Sequence, residues 1–193
     1  MKKLLSLLIL CLFALVITAC GSSAPAQQST QPPPQAVANI KDKRVLVAYF
    51  SYSGTTRKAA DTIHQKVGGD IFEIQTVTPY PEEYRACTEV AKKERDENQR
   101  PAIQTPLPDI ANYDVIFIGY PIWWHTAPMA VYTFMESYDL TGKIIIPFCT
   151  SGGSDISESM PAIQQLGEKG TVLPGLTANS ASRIDPWLNS LGF

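Results

Sequence analysis

The 193-residue chain is long enough for one domain with a sizeable core and too short for two ordinary ones. With the N-terminus set aside, 45% hydrophobic and 18% charged residues are the composition of a soluble globular protein. The formal net charge of −2 comes without a basic stripe, which argues against nucleic acid as a partner.

The chain starts with Lys2 and Lys3, followed by an apolar run from Leu4 to Ile17. That run is too short for a membrane span and reads as a signal peptide over residues 1–19. The ending Ile17-Thr18-Ala19-Cys20 resembles a bacterial lipobox, which implies lipidation of Cys20 as the new N-terminus. An extracytoplasmic, membrane-anchored lipoprotein is therefore expected; the resemblance implies two or three acyl chains, which anchor stably where a single chain holds only marginally. Residues 20–38 are small, polar and proline-rich, and cannot bury enough surface to fold. They read as a tether of roughly 25 Å when flexible and about 55 Å when extended. Cleavage before Cys20 leaves 14 basic against 18 acidic residues, a net charge of −4.

The folded domain is expected over residues 39–193. Arg44 to Phe50 is a continuous apolar strand, followed by Ser51-Tyr52-Ser53-Gly54. Ala59, Ala60, Ile63 and Val67 recur at helical spacing within a helix from Thr55, ended by Gly68-Gly69. Asp70 to Gln75 is a shorter strand carrying Glu73, as an edge strand would. A charged helix runs from Pro81 to about Asn98, then a loop with Pro101, Pro106 and Pro108. Val115 to Ile118 is again uninterruptedly apolar. Pro128 to Ser137 reads as helix, Lys143 to Phe148 as strand and Ile156 to Lys169 as helix. Thr171 to Leu173 is a short strand, and Ile184 to Leu191 a closing helix with Trp187 and Leu188 packed on the sheet.

This alternation of strand and helix, with central runs lacking polar positions, predicts a parallel sheet covered on both faces. A (β/α)₈ barrel needs about 250 residues and is excluded by length. The expected class is α/β: a doubly wound, five-stranded parallel sheet in the order 2-1-3-4-5, in three α/β/α layers. Ligands in such sheets sit beyond the carboxyl ends of the strands, at the switch point between strands 1 and 3.

Three loops fall there. Ser51-Tyr52-Ser53-Gly54-Thr55-Thr56 offers four hydroxyls around a glycine at a helix start, which suits a phosphate. It is neither a Walker A sequence nor a GxGxxG fingerprint, and a plain helix cap explains it equally well. Gly119-Tyr-Pro-Ile-Trp-Trp-His-Thr-Ala-Pro128 places Trp123 and Trp124 side by side after Pro121 and Ile122. At least one indole is expected against a flat aromatic ligand, the other on the core. Thr150-Ser151-Gly152-Gly153-Ser154-Asp155 offers bare backbone to a ligand edge, or an ordinary turn capped by Ser154 or Asp155. A ligand with a phosphate, a planar ring and a polar ring edge meets all three, as flavin mononucleotide (FMN) does.

From Lys43 to about Trp187 the chain resembles a bacterial flavodoxin-like family, flavodoxin being a standard example of the 2-1-3-4-5 order. The likeness rests on Val47 to Thr56, on Gly119 to Trp124 with Ala127-Pro128, and on Pro147 to Gly153. Pro79-Tyr-Pro-Glu-Glu-Tyr84 adds to it. The resemblance implies FMN, with Ser51, Ser53, Gly54, Thr55 and Thr56 on the phosphate. Pro121, Ile122, Trp123, Trp124, Thr150, Ser151, Gly152 and Gly153 would then contact the isoalloxazine and ribityl chain.

Three functions remain open at this point: a membrane-tethered electron carrier, an FMN-dependent NAD(P)H:quinone-type oxidoreductase, and a flavin- or solute-binding lipoprotein without redox turnover. No nicotinamide motif, metal-ligand spacing or Ser-His-Asp arrangement is visible. Cys87 and Cys149 are expected as buried free thiols, and His64 and His125 as surface residues. Arg57 and Lys58 either add charge near the phosphate or face water. Residues 92–97 read as a solvated helix face.

Overall fold

The computed structural model describes residues 40–105 and 108–193. The expected signal peptide, Cys20 and the tether lie outside these residues, as does Pro106. No described helix is long and apolar enough to cross a membrane.

The strands are β1 (Val45–Tyr49), β2 (Asp70–Glu73), β3 (Val115–Pro121), β4 (Ile144–Thr150), β5 (Thr171–Val172) and β6 (Leu176–Thr177). The helices are α1 (Thr55–Val67), α2 (Tyr84–Asp96), α3 (Met129–Glu136), α4 (Met160–Leu166) and α5 (Ile184–Leu191). All strand pairs are parallel, in the order β2-β1-β3-β4-β5. The expected order therefore holds.

Side-chain alternation sorts the central strands onto two faces. Val45, Val47, Phe117, Ile146 and Phe148 pack with Ala60 and Ile63 of α1 and with Ile184, Trp187 and Leu188 of α5. Leu46, Ala48, Ile116, Ile118 and Ile145 pack with Val131 and Phe134 of α3 and Ile163 of α4. Each fully buried aliphatic or aromatic side chain contributes about 1.5–3 kcal/mol, so strands covered on both faces carry much of the stability. β2 is half exposed, as its edge position requires.

The expected helix of residues 156–169 divides into a 3-10 turn (Ile156–Glu158) capped by Asp155, and α4. The fifth strand position also divides. Thr171 and Val172 pair with Ile144 and Ile145, whereas Leu176 and Thr177 pair with Phe148 and Cys149. The offset between partners grows by one residue across Leu173-Pro174-Gly175, so the edge carries an insertion there. Pro147 in β4 explains its place. The carbonyls of Lys143, Ile145 and Cys149 accept from Thr171, Leu173 and Ala178, so odd-numbered β4 residues bond toward this edge. Pro147 has the same parity and no N–H to give, and it faces the interruption. Gly175 fits there because a Cβ would lie 2.6 Å from the Pro147 carbonyl oxygen.

Candidate functional site

A cleft of about 830 Å³ opens beyond the carboxyl ends of β1, β3 and β4. All three expected loops reach it. α2 supplies a wall the sequence did not announce.

The first loop turns through Gly54, whose φ of +84° is a left-handed conformation that a Cβ would strain. Gly54 is also the N-cap of α1 and brings no side chain to it. Ser53 and Thr55 line the cleft, their hydroxyls 3.1 Å apart. With no side-chain acceptor from the N-cap, the first N–H groups and the helix dipole make this end of the 13-residue α1 favourable for an anion. Ser51 and Thr56 turn elsewhere. The Ser51 hydroxyl accepts the Arg57 N–H at 3.2 Å, and the buried Thr56 hydroxyl meets that of Thr150 at 2.8 Å. Arg57 pairs with Glu73 on β2, which holds its guanidinium pKa up, rather than joining the cleft lining.

The second loop leaves β3 at Pro121, with the Ile122 N–H donating to the Thr150 carbonyl at 2.9 Å. Trp123 and Thr126 then exchange both backbone hydrogen bonds, closing a tight turn around Trp124 and His125. Both central residues lie in the left-handed region, at φ of 50° and 68°. Non-glycine residues held so cost on the order of 1–3 kcal/mol each and persist where surroundings enforce them. Here the surroundings are visible on both sides. The Trp124 Nε1–H donates to the Thr88 carbonyl of α2 at 3.1 Å, and the Arg95 guanidinium lies over the indole. His125 Nδ1 lies 2.6 Å from the Glu158 carboxylate, whose pKa that contact holds low.

The two indoles differ in environment. Trp123 sits among Phe50, Tyr52 and Tyr80, each edge-to-face with ring centroids 5.1–5.7 Å away. Trp124 stays 39% exposed. Both line the cleft, with Pro121 and Ile122.

The third loop is organised around Ser151. Its hydroxyl accepts the N–H groups of Gly153 and Ser154 at 3.1 and 2.7 Å. The Asn179 side chain accepts the Ser151 N–H at 2.9 Å and donates to its carbonyl at 2.7 Å. Thr150, Ser151 and Gly152 line the cleft, whereas Gly153 is turned into its own loop.

Sequence reasoning missed Tyr52, Tyr84, Cys87, Thr88, Ala91, Ser154 and Asn179, and set His125 aside as a surface residue; all of these also line the cleft. It also misplaced part of the charged run 92–97. Lys92 and Asp96 do form a surface i,i+4 pair, but Glu94 is buried and accepts the Tyr80 hydroxyl at 2.6 Å. Cys87 and Cys149 are free and buried. Burial pushes the Cys87 thiol up and the Cys149 thiol up to about 12, so neither is poised as a nucleophile.

Fold and cleft together define a doubly wound α/β protein with an open cleft at the β1/β3 switch point. Residues 44–191 match the family model for flavodoxin, and the chain belongs to that family. Among solved structures, a chain designated a flavoprotein from Bacteroides eggerthii DSM 20697 is 37% identical, with a TM-score of 0.70. The alignment covers 79% of this chain and 99% of that one. A similarly designated chain from Bacteroides uniformis ATCC 8492 is 36% identical at a TM-score of 0.68, covering 76% and 97%. A flavoprotein from Lactobacillus acidophilus NCFM, solved in complex with FMN, shares the fold at 23% identity and a TM-score of 0.64, covering 76% and 99%. No match is found among curated proteins.

Proposed function

We propose that the cleft binds one FMN without a covalent bond and that the protein transfers electrons through it. One observation carries this reading: hydroxyls at a helix start with glycine as its N-cap and two tryptophans line the same cleft of about 830 Å³. The donor set suits the ligand. Ser53, Thr55 and the first N–H groups of α1 would take the phosphate, and positions Gly54 and Gly152 leave open space beside the backbone. Trp123, Trp124, Ile122 and Pro121 would flank the ring, while Thr150 to Gly152 would meet its polar edge. Membership of the flavodoxin family and the FMN complex of the Lactobacillus acidophilus flavoprotein support the choice of nucleotide.

Bound FMN supplies the redox chemistry, accepting and releasing one or two electrons. The chain would bind it through the first loop at its phosphate and through the residues of loops two and three at its ring. The test is a titration of the chain with FMN and with riboflavin, followed by flavin absorbance and fluorescence. Tight FMN and weak riboflavin binding is expected; a colourless chain that binds neither rejects the site.

The lipobox-like ending at Cys20 supports an extracytoplasmic, membrane-anchored location for this electron carrier, with residues 20–38 as the tether. Incorporation of labelled fatty acid into the wild type, lost in Cys20→Ser, is the expected result. Equal labelling of both removes the anchor from the proposal.

A further inference from the structure

We propose that Arg95 is a positioning residue of the ring site. From α2 it fixes the Trp124 indole at the mouth of the cleft, covering one indole face and leaving the other for the flavin ring. The inference rests on reading the cleft as a flavin site, and goes beyond it by assigning a residue that lies outside the cleft lining.

Trp124 has three ties, all to α2. Its Nε1–H donates to the Thr88 carbonyl at 3.1 Å, its own carbonyl accepts from Arg95 Nη1 at 3.2 Å, and the Arg95 guanidinium carbon lies 5.4 Å from the ring centroid. The guanidinium is itself held. Its Nε donates to Asp96 at 2.9 Å, and Lys92 donates to the other oxygen of the same carboxylate at 2.6 Å. Two of the three ties therefore come from one planar cation whose orientation is set by its neighbours. A lysine could supply charge but not a fork that bonds a carbonyl while lying over a ring.

These ties answer a specific need. Trp124 has a φ of 50°, a conformation a tryptophan does not hold unaided, and the residue is 39% exposed. Without the guanidinium the indole keeps one hydrogen bond and gains freedom to turn about it. An indole free to turn loses entropy when a flat ligand immobilises it, whereas an indole already held does not. The benefit falls on the ring of the ligand and leaves its phosphate untouched. That separates this role from electrostatic attraction of an anion.

The experiment measures dissociation constants of FMN and riboflavin for the full chain and for Arg95→Met, Arg95→Lys, Trp124→Ala and the Arg95→Met/Trp124→Ala pair. Thermal midpoints are recorded alongside. Arg95→Met is expected to weaken both flavins by the same factor, about three- to tenfold, and to add no further loss once Trp124 is alanine. Arg95→Lys should fall between wild type and Arg95→Met, and it carries the comparison should Arg95→Met fail to fold. A merely structural role would weaken binding equally with and without the indole, and that result overturns the proposal. So does a loss confined to FMN, or unchanged affinity for both flavins. A wild-type chain that binds neither flavin overturns the site reading and this inference together, whereas one that binds both regardless of residue 95 overturns the inference alone.

Discussion

The hydroxyls of Thr56 and Thr150 meet at 2.8 Å in a buried position, joining the first turn of α1 to the last residue of β4. This bond ties the proposed phosphate loop to the loop proposed for the ring edge, so binding at one end of the cleft is supported by geometry at the other. Thr56→Val leaves the Thr150 hydroxyl buried without this partner, a loss of about 1–3 kcal/mol. Urea unfolding should show that loss, with much of it recovered in the Thr56→Val/Thr150→Val pair, where neither polar group is left behind. A double variant no better than the additive sum would show that the bond is not the link.

Thr55 tests the phosphate assignment. Its hydroxyl lines the cleft at the start of α1, and a hydrogen bond to a charged group contributes roughly 1.5–3 kcal/mol. Thr55→Val should weaken FMN by about that amount and leave riboflavin, which has no phosphate, nearly unchanged. Fluorescence titration at fixed ionic strength reads both. Equal losses for the two flavins would move the phosphate away from this loop.

Glu94 gives stability a pH signature. Burial raises its carboxyl pKa above the ordinary 4.5, opposed by the bond from the Tyr80 hydroxyl. From 4.5 up to the raised value, the folded state keeps a proton that the unfolded state has lost. Its contribution to stability is therefore complete below 4.5 and is lost as pH rises through the folded value. Glu94→Gln has no such proton, so the difference in unfolding free energy should move in the variant's favour as pH rises. Glu83 and Asp155 have lowered pKa values and give the opposite slope, but both proteins share it and it cancels in the difference. Denaturant unfolding of both proteins from pH 4 to 8 checks this; a difference that moves in the wild type's favour as pH rises would mean the folded state favours the carboxylate.

The legibility of this fold followed burial. β1, β3 and β4 could be read because strands covered on both faces carry no polar alternation, and Glu73 marked β2 as an edge. The cleft was legible only where a loop announced itself through glycine, hydroxyls or adjacent tryptophans. Residue type did not say which hydroxyls face the cleft: Ser53 and Thr55 do, while Ser51 and Thr56 serve the backbone and the core. Asn179 was invisible because it lies in an ordinary polar loop 28 positions from the Ser151 backbone it holds, with no motif to single it out. Arg95 and Glu94 were hidden in a charged run whose average character is solvated, although one stacks on an indole and the other is buried.

The divided edge strand was an architectural feature the strand pattern did not supply, yet its residues state a mechanism that can be tested. Pro147 leaves β4 without an N–H toward the edge, and Pro174-Gly175 interrupts the partner opposite it. A Cβ at position 175 would lie 2.6 Å from the Pro147 carbonyl oxygen and 2.5 Å from Ile156 Cδ1. The second contact is with the end of a flexible side chain and can yield; the first is with backbone in the middle of the sheet and cannot. Gly175→Ala should therefore destabilise the fold by about 1–3 kcal/mol, and adding Ile156→Val should not restore it. Recovery in that pair would place the strain on the side chain instead. Because Thr177 in β6 donates to Asp155 at 2.9 Å and accepts the Ile156 N–H at 2.9 Å, the same substitution should loosen the third loop and weaken flavin binding. Hydrogen exchange at Ile156 would then rise with the loss of affinity, whereas weakened binding with unchanged exchange would separate the edge strand from the site.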